Sequence, residues 1–260
     1  MPHAWSSLGR HRDLLAMLVA RNLKVRYKNS ALGFFWTLLG PLFLILVYAA
    51  FLGIMRFEID LRVLVSGILV WQFLAMCAGD ALQAISGNAN LVKKAAFPRG
   101  ILVLSMALAN LLNFLLSLLV LAVYLAIAGT TLGAFGWLPL AIVSQFALCL
   151  GLGLALAAAN VYFRDTEHIM GTVLMAWFFL TPIIYAAALV TDRFAARPWI
   201  GRLYFLNPMA GLVSAYRRFF LGATDVEPVA ILLSCAVAWL VLAAGVAIFH
   251  RAEPRFAEVL

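Results

Sequence analysis

Charge is what this sequence lacks most. Charged residues make up 12% of its 260 positions, where a soluble domain carries about a quarter. Hydrophobic residues make up 65%, and mean hydropathy is +1.02. A chain so composed has too few polar groups to cover itself in water, so its solvent is lipid. Cysteine is scarce too. Cys77, Cys149 and Cys235 all fall inside apolar runs, and an odd count placed there builds neither a disulfide framework nor a zinc site. They read as small core residues. His3, His11, His168 and His250 stand near termini or loops without ligand spacing, so no metal site is expected.

Catalytic signatures are missing as well. There is no G-x-x-x-x-G-K-[ST], so the chain has no P-loop of its own for ATP. Neither a G-x-S-x-G elbow nor H-E-x-x-H occurs, which removes the common hydrolase and zinc-protease readings. No catalytic residue and no chain-bound cofactor are expected. The first thirty residues lack the short apolar core and small-residue cleavage site of a signal peptide, so the N-terminus is expected to be retained and cytoplasmic. Ion-coupled carriers bury acids at mid-membrane, and Asp80 is the one acid clearly inside an apolar run. A carrier working through Asp80 and an acid paired with a basic neighbour both remain open. A membrane-embedded transferase would need a polar catalytic cluster, and none assembles.

What the chain has is six apolar runs, at roughly 32–55, 63–86, 101–128, 138–161, 169–190 and 229–249, each near the ~20 residues that cross a bilayer core. The expected fold is an all-α, six-span membrane protein forming a single domain over 1–260. It comprises an N-terminal segment 1–31, a core 32–249 and a tail 250–260. With both ends inside, 12 of the 19 Lys and Arg fall on the cytoplasmic side, which favours N-in, C-in. The net charge of +8 is spread among such segments, especially Arg21, Lys24, Arg26 and Lys28. That pattern suits an anionic membrane surface rather than nucleic acid.

Three segments do not span. Residues 8–28 set Leu8, Leu15, Leu18, Val19, Leu23 and Val25 among basic and polar residues, as in an amphipathic helix lying in the headgroup layer, with a flexible basic tail as the alternative. Residues 191–228 hold two short apolar stretches, Leu203–Leu206 and Met209–Leu221, broken at Asn207–Pro208. They fit short re-entrant helices at the outer face, with a surface loop as the alternative. The loop GNANLVKKAAFPRG, 87–100, predicts a short helix from Asn88 to Phe97, stopped by Pro98 and Gly100. Such a helix either docks on a partner or is a plain positively charged loop. The aromatic residues Phe35, Trp36 and Tyr48 in the first run, with Trp177, Phe178 and Tyr185 in the fifth, offer flat faces for sugars. They equally suit interfacial belts and helix packing.

Several of these stretches together resemble a family. Arg21-Asn22-Leu23-Lys24-Val25-Arg26-Tyr27-Lys28-Asn29-Ser30 with Leu32-Gly33, Trp36 and Pro41-Leu42 is similar to the start of ABC-2 type permeases that export O-antigen, teichoic acid and related polymers. Asn90-Leu91-Val92-Lys93-Lys94 with Phe97-Pro98-Arg99, Tyr162-Phe163-Arg164-Asp165 with His168-Ile169, Leu180–Tyr185 and Asn207-Pro208-Met209 agree. The resemblance implies a permease subunit that works as a dimer with two copies of a separate ATPase, which carries the ATP and Mg. Its cargo would be a lipid-linked polysaccharide of the undecaprenyl-diphosphate type, crossing the bacterial inner membrane. Carried onto this chain, it makes Asn88, Asn90, Leu91, Lys93, Lys94 and Phe97 the ATPase-coupling residues. Arg164 and Asp165 would form a cytoplasmic turn near the ATPase or the diphosphate. Arg21, Lys24, Arg26 and Lys28 would recruit the diphosphate, and the six aromatics would line a glycan channel. Capsule exporters rank second, because they differ around Arg26–Ser30.

Overall fold

The computed structural model describes residues 11–26, 30, 35–55, 59–94, 97–194 and 197–259; the predicted cation Lys28 lies outside them. Among the described residues there is helix and no strand. In chain order, α1 is Arg12–Arg26, α2 Trp36–Met55, α3 Leu61–Ser86, α4 Ala89–Lys94 and α5 Gly100–Ile127. Then come α6 Trp137–Tyr162, α7 Thr166–Phe179, α8 Ala188–Arg193, α9 Pro198–Tyr204, α10 Pro208–Phe220 and α11 Pro228–Ala252. A 3-10 turn, Glu253–Arg255, leads into α12, Phe256–Val259.

Five of these helices, α2, α3, α5, α6 and α11, are long and apolar enough to cross a membrane. The 20-residue α2 alone reaches about 30 Å, the thickness of a bilayer core. The run expected as a fifth span, 169–190, is not one helix. Its helix α7 has 14 residues, about 21 Å, and the chain leaves helical geometry at 180–187. Pro182 explains the break, because it has no N–H to donate and its ring drives the preceding Thr181 out of the α region. The freed groups are taken up by protein. Thr181 Oγ1 donates back to Trp177 O (2.8 Å), and Asn207 Nδ2 donates to Leu180 O (3.1 Å). Irregular backbone in an apolar chain is tolerated where protein covers it in this way.

α3 and α6 occupy the middle of the bundle. α6 lies along α11 and α3; α5 lies along α3; α10 packs on α11, α6 and α3. α2 sits at the edge on α5 and α3. Only 22% of its span is buried, against 67% for α3, so Phe43, Leu46 and Ile54 face outward. The three cysteines are buried and unbridged.

At the start of α3, Asp60 is the N-cap. Its Oδ1 accepts from the Arg62 N–H (2.8 Å), and the Arg62 guanidinium closes on both carboxylate oxygens. The Arg62 side chain holds the Asp60 carboxyl below its ordinary pKa. A depressed carboxylate stabilises the fold above its unfolded-state pKa and loses that contribution as pH falls through the folded-state value. Asp60→Asn keeps a cap but not the ion pair. Its small melting deficit at neutral pH is expected to vanish in acid, as a pH series of thermal unfolding would read.

Candidate functional site at the α4 end of the bundle

The bundle has two differently built ends. At one end Arg62 Nη1 donates to Thr130 Oγ1 and the Gly133 N–H to Phe219 O, binding the 128–136 connection to α3 and α10. The other end gathers α1, α4, the start of α7 and the C-terminal turn, and most of the predicted site residues lie there.

The short helix α4 realises six of the ten residues expected from Asn88 to Phe97, and Ala95 and Ala96 lie outside the described residues. Asn88 Nδ2 donates to Ala84 O (2.9 Å), which turns the chain off the end of α3. Val92 is buried, and Leu91 and Phe97 pack partly against the same apolar cluster. Asn90 and Lys93 face outward. The predicted coupling set, Lys94 aside, whose side chain lies outside the description, therefore divides into anchors and exposed groups.

The C-terminal segment braces this loop, which the sequence did not suggest. Phe256 is fully buried against Phe249 and Tyr162. The Arg99 N–H donates to Glu253 Oε1 (2.8 Å), the Arg99 guanidinium donates to Glu253 O, and Tyr162 Oη donates to Ala252 O. α12 lies beside α4. Between them opens a cleft of about 720 Å³ lined by Gln83, Ser86, Tyr162, Arg164, Glu167 and Val259. Gln83 Nε2 donates to Glu167 Oε2 (2.9 Å) across it. Arg164 lines the cleft, and Asp165 is exposed at the N-cap of α7.

α1 docks on α5 and reaches α3 through a stripe at four-residue spacing, Leu18, Asn22 and Arg26. Leu18 is buried. Asn22 Nδ2 donates to Ser105 Oγ (3.1 Å), and Arg26 Nη2 to Asp80 Oδ2 (2.6 Å). The same carboxylate oxygen accepts from Asn110 Nδ2 (2.8 Å). Asp80, the acid that an ion-coupled carrier would use, is thus held by a cation and an amide. Arg21 bridges to Asn88 Oδ1 (3.1 Å), tying α1 to the head of the α4 loop. Arg21 and Lys24 remain exposed. Of the predicted cations, then, Arg21 and Arg26 are brought to one cleft of about 430 Å³, together with Asn22, Asp80, Met106 and Ala109.

The aromatic set does not stay together. Phe35, Trp36 and Tyr48 belong to the α2 region, with Phe35 and Trp36 exposed and Tyr48 packed on the core. Trp177 and Phe178 of α7 meet Trp71 of α3 edge-on at 6.0 and 5.6 Å. Trp177 Nε1 donates to Asn207 Oδ1 (2.8 Å). The Tyr185 and Tyr204 hydroxyls lie 3.2 Å apart. Burial, then the Tyr185 hydroxyl, push the Tyr204 phenol up, so it stays neutral. Beside them Arg217, almost fully buried in α10, donates to Ile183 O, Val63 O and Tyr185 O. Trp71, Tyr204 and Arg217 escaped the sequence reading. An arginine inside an apolar stretch was the available signal for the last.

The profile of the ABC-2 type transporter family matches residues 13–221. An O-antigen export system permease protein RfbA of Klebsiella pneumoniae is 33% identical over 98% of this chain and 97% of its own length. One from Myxococcus xanthus is 36% identical over 96% of both.

Proposed function

The chain belongs to the ABC-2 type transporter family, and on that premise we propose that it is the permease subunit of an exporter for an O-antigen-type, lipid-linked polysaccharide. It is a multi-pass membrane protein, and its family places it in an ABC transporter with an ATPase partner. The observation that carries the cargo is the near full-length likeness to permeases named for O-antigen export. The proposed assembly is two copies of this chain with two ATPase subunits, which hold the ATP and Mg, in the bacterial inner membrane.

In this reading the α4 end faces the cytoplasm with both termini. α7, the 180–187 turn and α8 together make the fifth of six crossings, broken at Pro182. α1 is the interface helix, and α9 and α10 are short re-entrant helices at the outer mouth. The exposed Asn90 and Lys93 meet the ATPase, while Val92, Leu91 and Phe97 hold α4 to the bundle, so a push on α4 passes to α3 and α5. The polymer's lipid diphosphate is recruited beside α1 by Arg21, Lys24 and Arg26, where charge-assisted hydrogen bonds are strong. The glycan then moves between the two permease copies past aromatic faces contributed by α2 and α7.

The test is to purify the chain with its ABC ATPase in lipid and measure hydrolysis and polymer export. Asn90→Ala with Lys93→Ala is expected to leave the fold intact and reduce export on the order of tenfold, equivalent to roughly 1.4 kcal/mol of docking. A folded permease that binds no ATPase would overturn the reading.

A further inference from the structure

The cation best placed in the α1 cleft, Arg26, is already paired with an acid, Asp80 of α3. We propose that Asp80 competes with the substrate diphosphate for Arg26, so that headgroup arrival unlatches α1. This rests on the reading that a diphosphate lipid is recruited at α1.

Three observations carry it. The Arg26–Asp80 pair uses one guanidinium nitrogen and one carboxylate oxygen, at 2.6 Å. Arg26 Nη1 and Asn110 Oδ1, both buried, have no hydrogen-bond partner among the described residues. The guanidinium is therefore under-used by its present partner, although its planar fork is built for paired acceptors. Second, the pair is within reach of a ligand. The two side chains are 26% and 38% exposed and border the cleft of about 430 Å³. That is the liquid share of about fourteen waters at ~30 Å³ each, which is room for a diphosphate of nine heavy atoms. Arg21 stands on the same rim. Third, the pair joins separate elements of the site. It ties α1 to α3, while Arg21 ties α1 to Asn88 at the head of the α4 loop.

A diphosphate offers Arg26 several acceptor oxygens and more negative charge than one carboxylate, so it draws the guanidinium away from Asp80. Asp80 keeps Asn110, and α1 keeps the Asn22–Ser105 contact. α1 loses its ion pair to the span, and the change reaches α4 through Arg21 and Asn88. Asp80 is thus a positioning residue that makes release of α1 conditional on the substrate's charge.

The experiment uses the complete permease–ATPase complex and measures binding to phosphatidylcholine vesicles containing undecaprenyl diphosphate, with phosphatidylglycerol vesicles and free pyrophosphate as further arms. Asp80→Asn removes the competitor but keeps an acceptor for Asn110. It is expected to tighten diphosphate-vesicle binding roughly fivefold, the upper worth of a partly exposed ion pair. It should also raise basal ATP hydrolysis toward the lipid-stimulated rate. Asp80→Glu, which keeps the charge, should behave as wild type. A merely structural Asp80 would give unchanged or weaker binding in Asp80→Asn, and that result overturns the proposal. If Asp80→Asn is not recovered folded, Asp80→Ser carries the same expectation. Competition by free pyrophosphate at the same site assigns recognition to the diphosphate alone; its absence assigns it to the diphosphate on its lipid. If wild type and all variants bind phosphatidylglycerol vesicles as well as diphosphate vesicles, recruitment at α1 itself fails, and the proposal with it.

Discussion

Arg217→Met is expected to lower the melting temperature of the detergent-purified protein by about 10 °C or more and to reduce its yield from membranes. Arg217 sits in α10 with 5% of its surface exposed. Its guanidinium donates to Ile183 O (2.8 Å), Val63 O (3.0 Å) and Tyr185 O (3.1 Å). Two of these carbonyls belong to the segment that Pro182 forces out of the helix, and the third lies in the first turn of α3. Among the described residues no other donor reaches Ile183 O, which lies against Gly67 of α3. A side chain at Gly67 would collide with that carbonyl and with the guanidinium, so the absence of one opens the space the clamp fills. Hydrogen bonds from a charged donor contribute about 1.5–3 kcal/mol each, and a stranded buried carbonyl costs about 1–3 kcal/mol. Even with strong non-additivity, the loss is roughly 4 kcal/mol, a large part of a typical 5–15 kcal/mol stability; at about 2–4 °C per kcal/mol this gives the shift stated. Methionine fills the volume of the stem, so a cavity does not confound the result. Arg217→Lys keeps the charge but not the fork, and should fall between the two. Unfolding of Arg217→Met within 2 °C of wild type would show that the turn after α7 holds itself.

Arg217 also marks where sequence reasoning stopped. Patterns internal to one segment were legible. Five apolar runs appear as helices α2, α3, α5, α6 and α11, and the Asn207–Pro208 break falls between α9 and α10, where Asn207 caps α10 by accepting from the Met209 N–H. Apolar periodicity and proline stereochemistry are local, so one segment suffices to read them. The same proline logic applied to Pro182 would have split the run 169–190, but its hydropathy masked the break. Pairings between segments were not legible. Asp80 finds Arg26 across 54 residues and Asn110 across 30. Gln145 donates to Val70 O, and Asn160 to Leu82 O. Each is a polar side chain in an apolar run whose partner is a neighbour the fold supplies. The predicted aromatic group separated for a related reason: α2 packs on α5 and α3, whereas α7 packs on α3 and α6, and chain spacing holds no record of that division.

The second large effect lies where α6 crosses α11. Gly245→Ala is expected to destabilise the protein by about 3 kcal/mol, although it adds a single methyl and raises helix propensity by up to ~1 kcal/mol. A Cβ on Gly245 would overlap the carbonyl of Gly151, and one on Gly151 would overlap the backbone of Leu242. The two helices are in backbone contact, the close approach that small residues permit in membranes. Overpacking costs about 1–3 kcal/mol when side chains can yield, but backbone on both sides cannot swing aside, so the helices must separate along their length. Separation reaches the site as well, because α11 carries Phe249 and leads directly into the turn and α12 that hold Glu253 and Phe256, which brace Arg99 and Tyr162 beside the α4 loop. Gly153→Ala is the matched comparison. Its Cβ would meet only side chains, Ala81 at 3.2 Å and Val103 at 3.4 Å, and a cost below about 1 kcal/mol is expected as they adjust. Thermal unfolding of both variants, with ATP hydrolysis of each in complex with the ATPase, distinguishes the cases. Equal melting temperatures for Gly245→Ala and Gly153→Ala would mean that the crossing has slack and that the C-terminal brace does not depend on it.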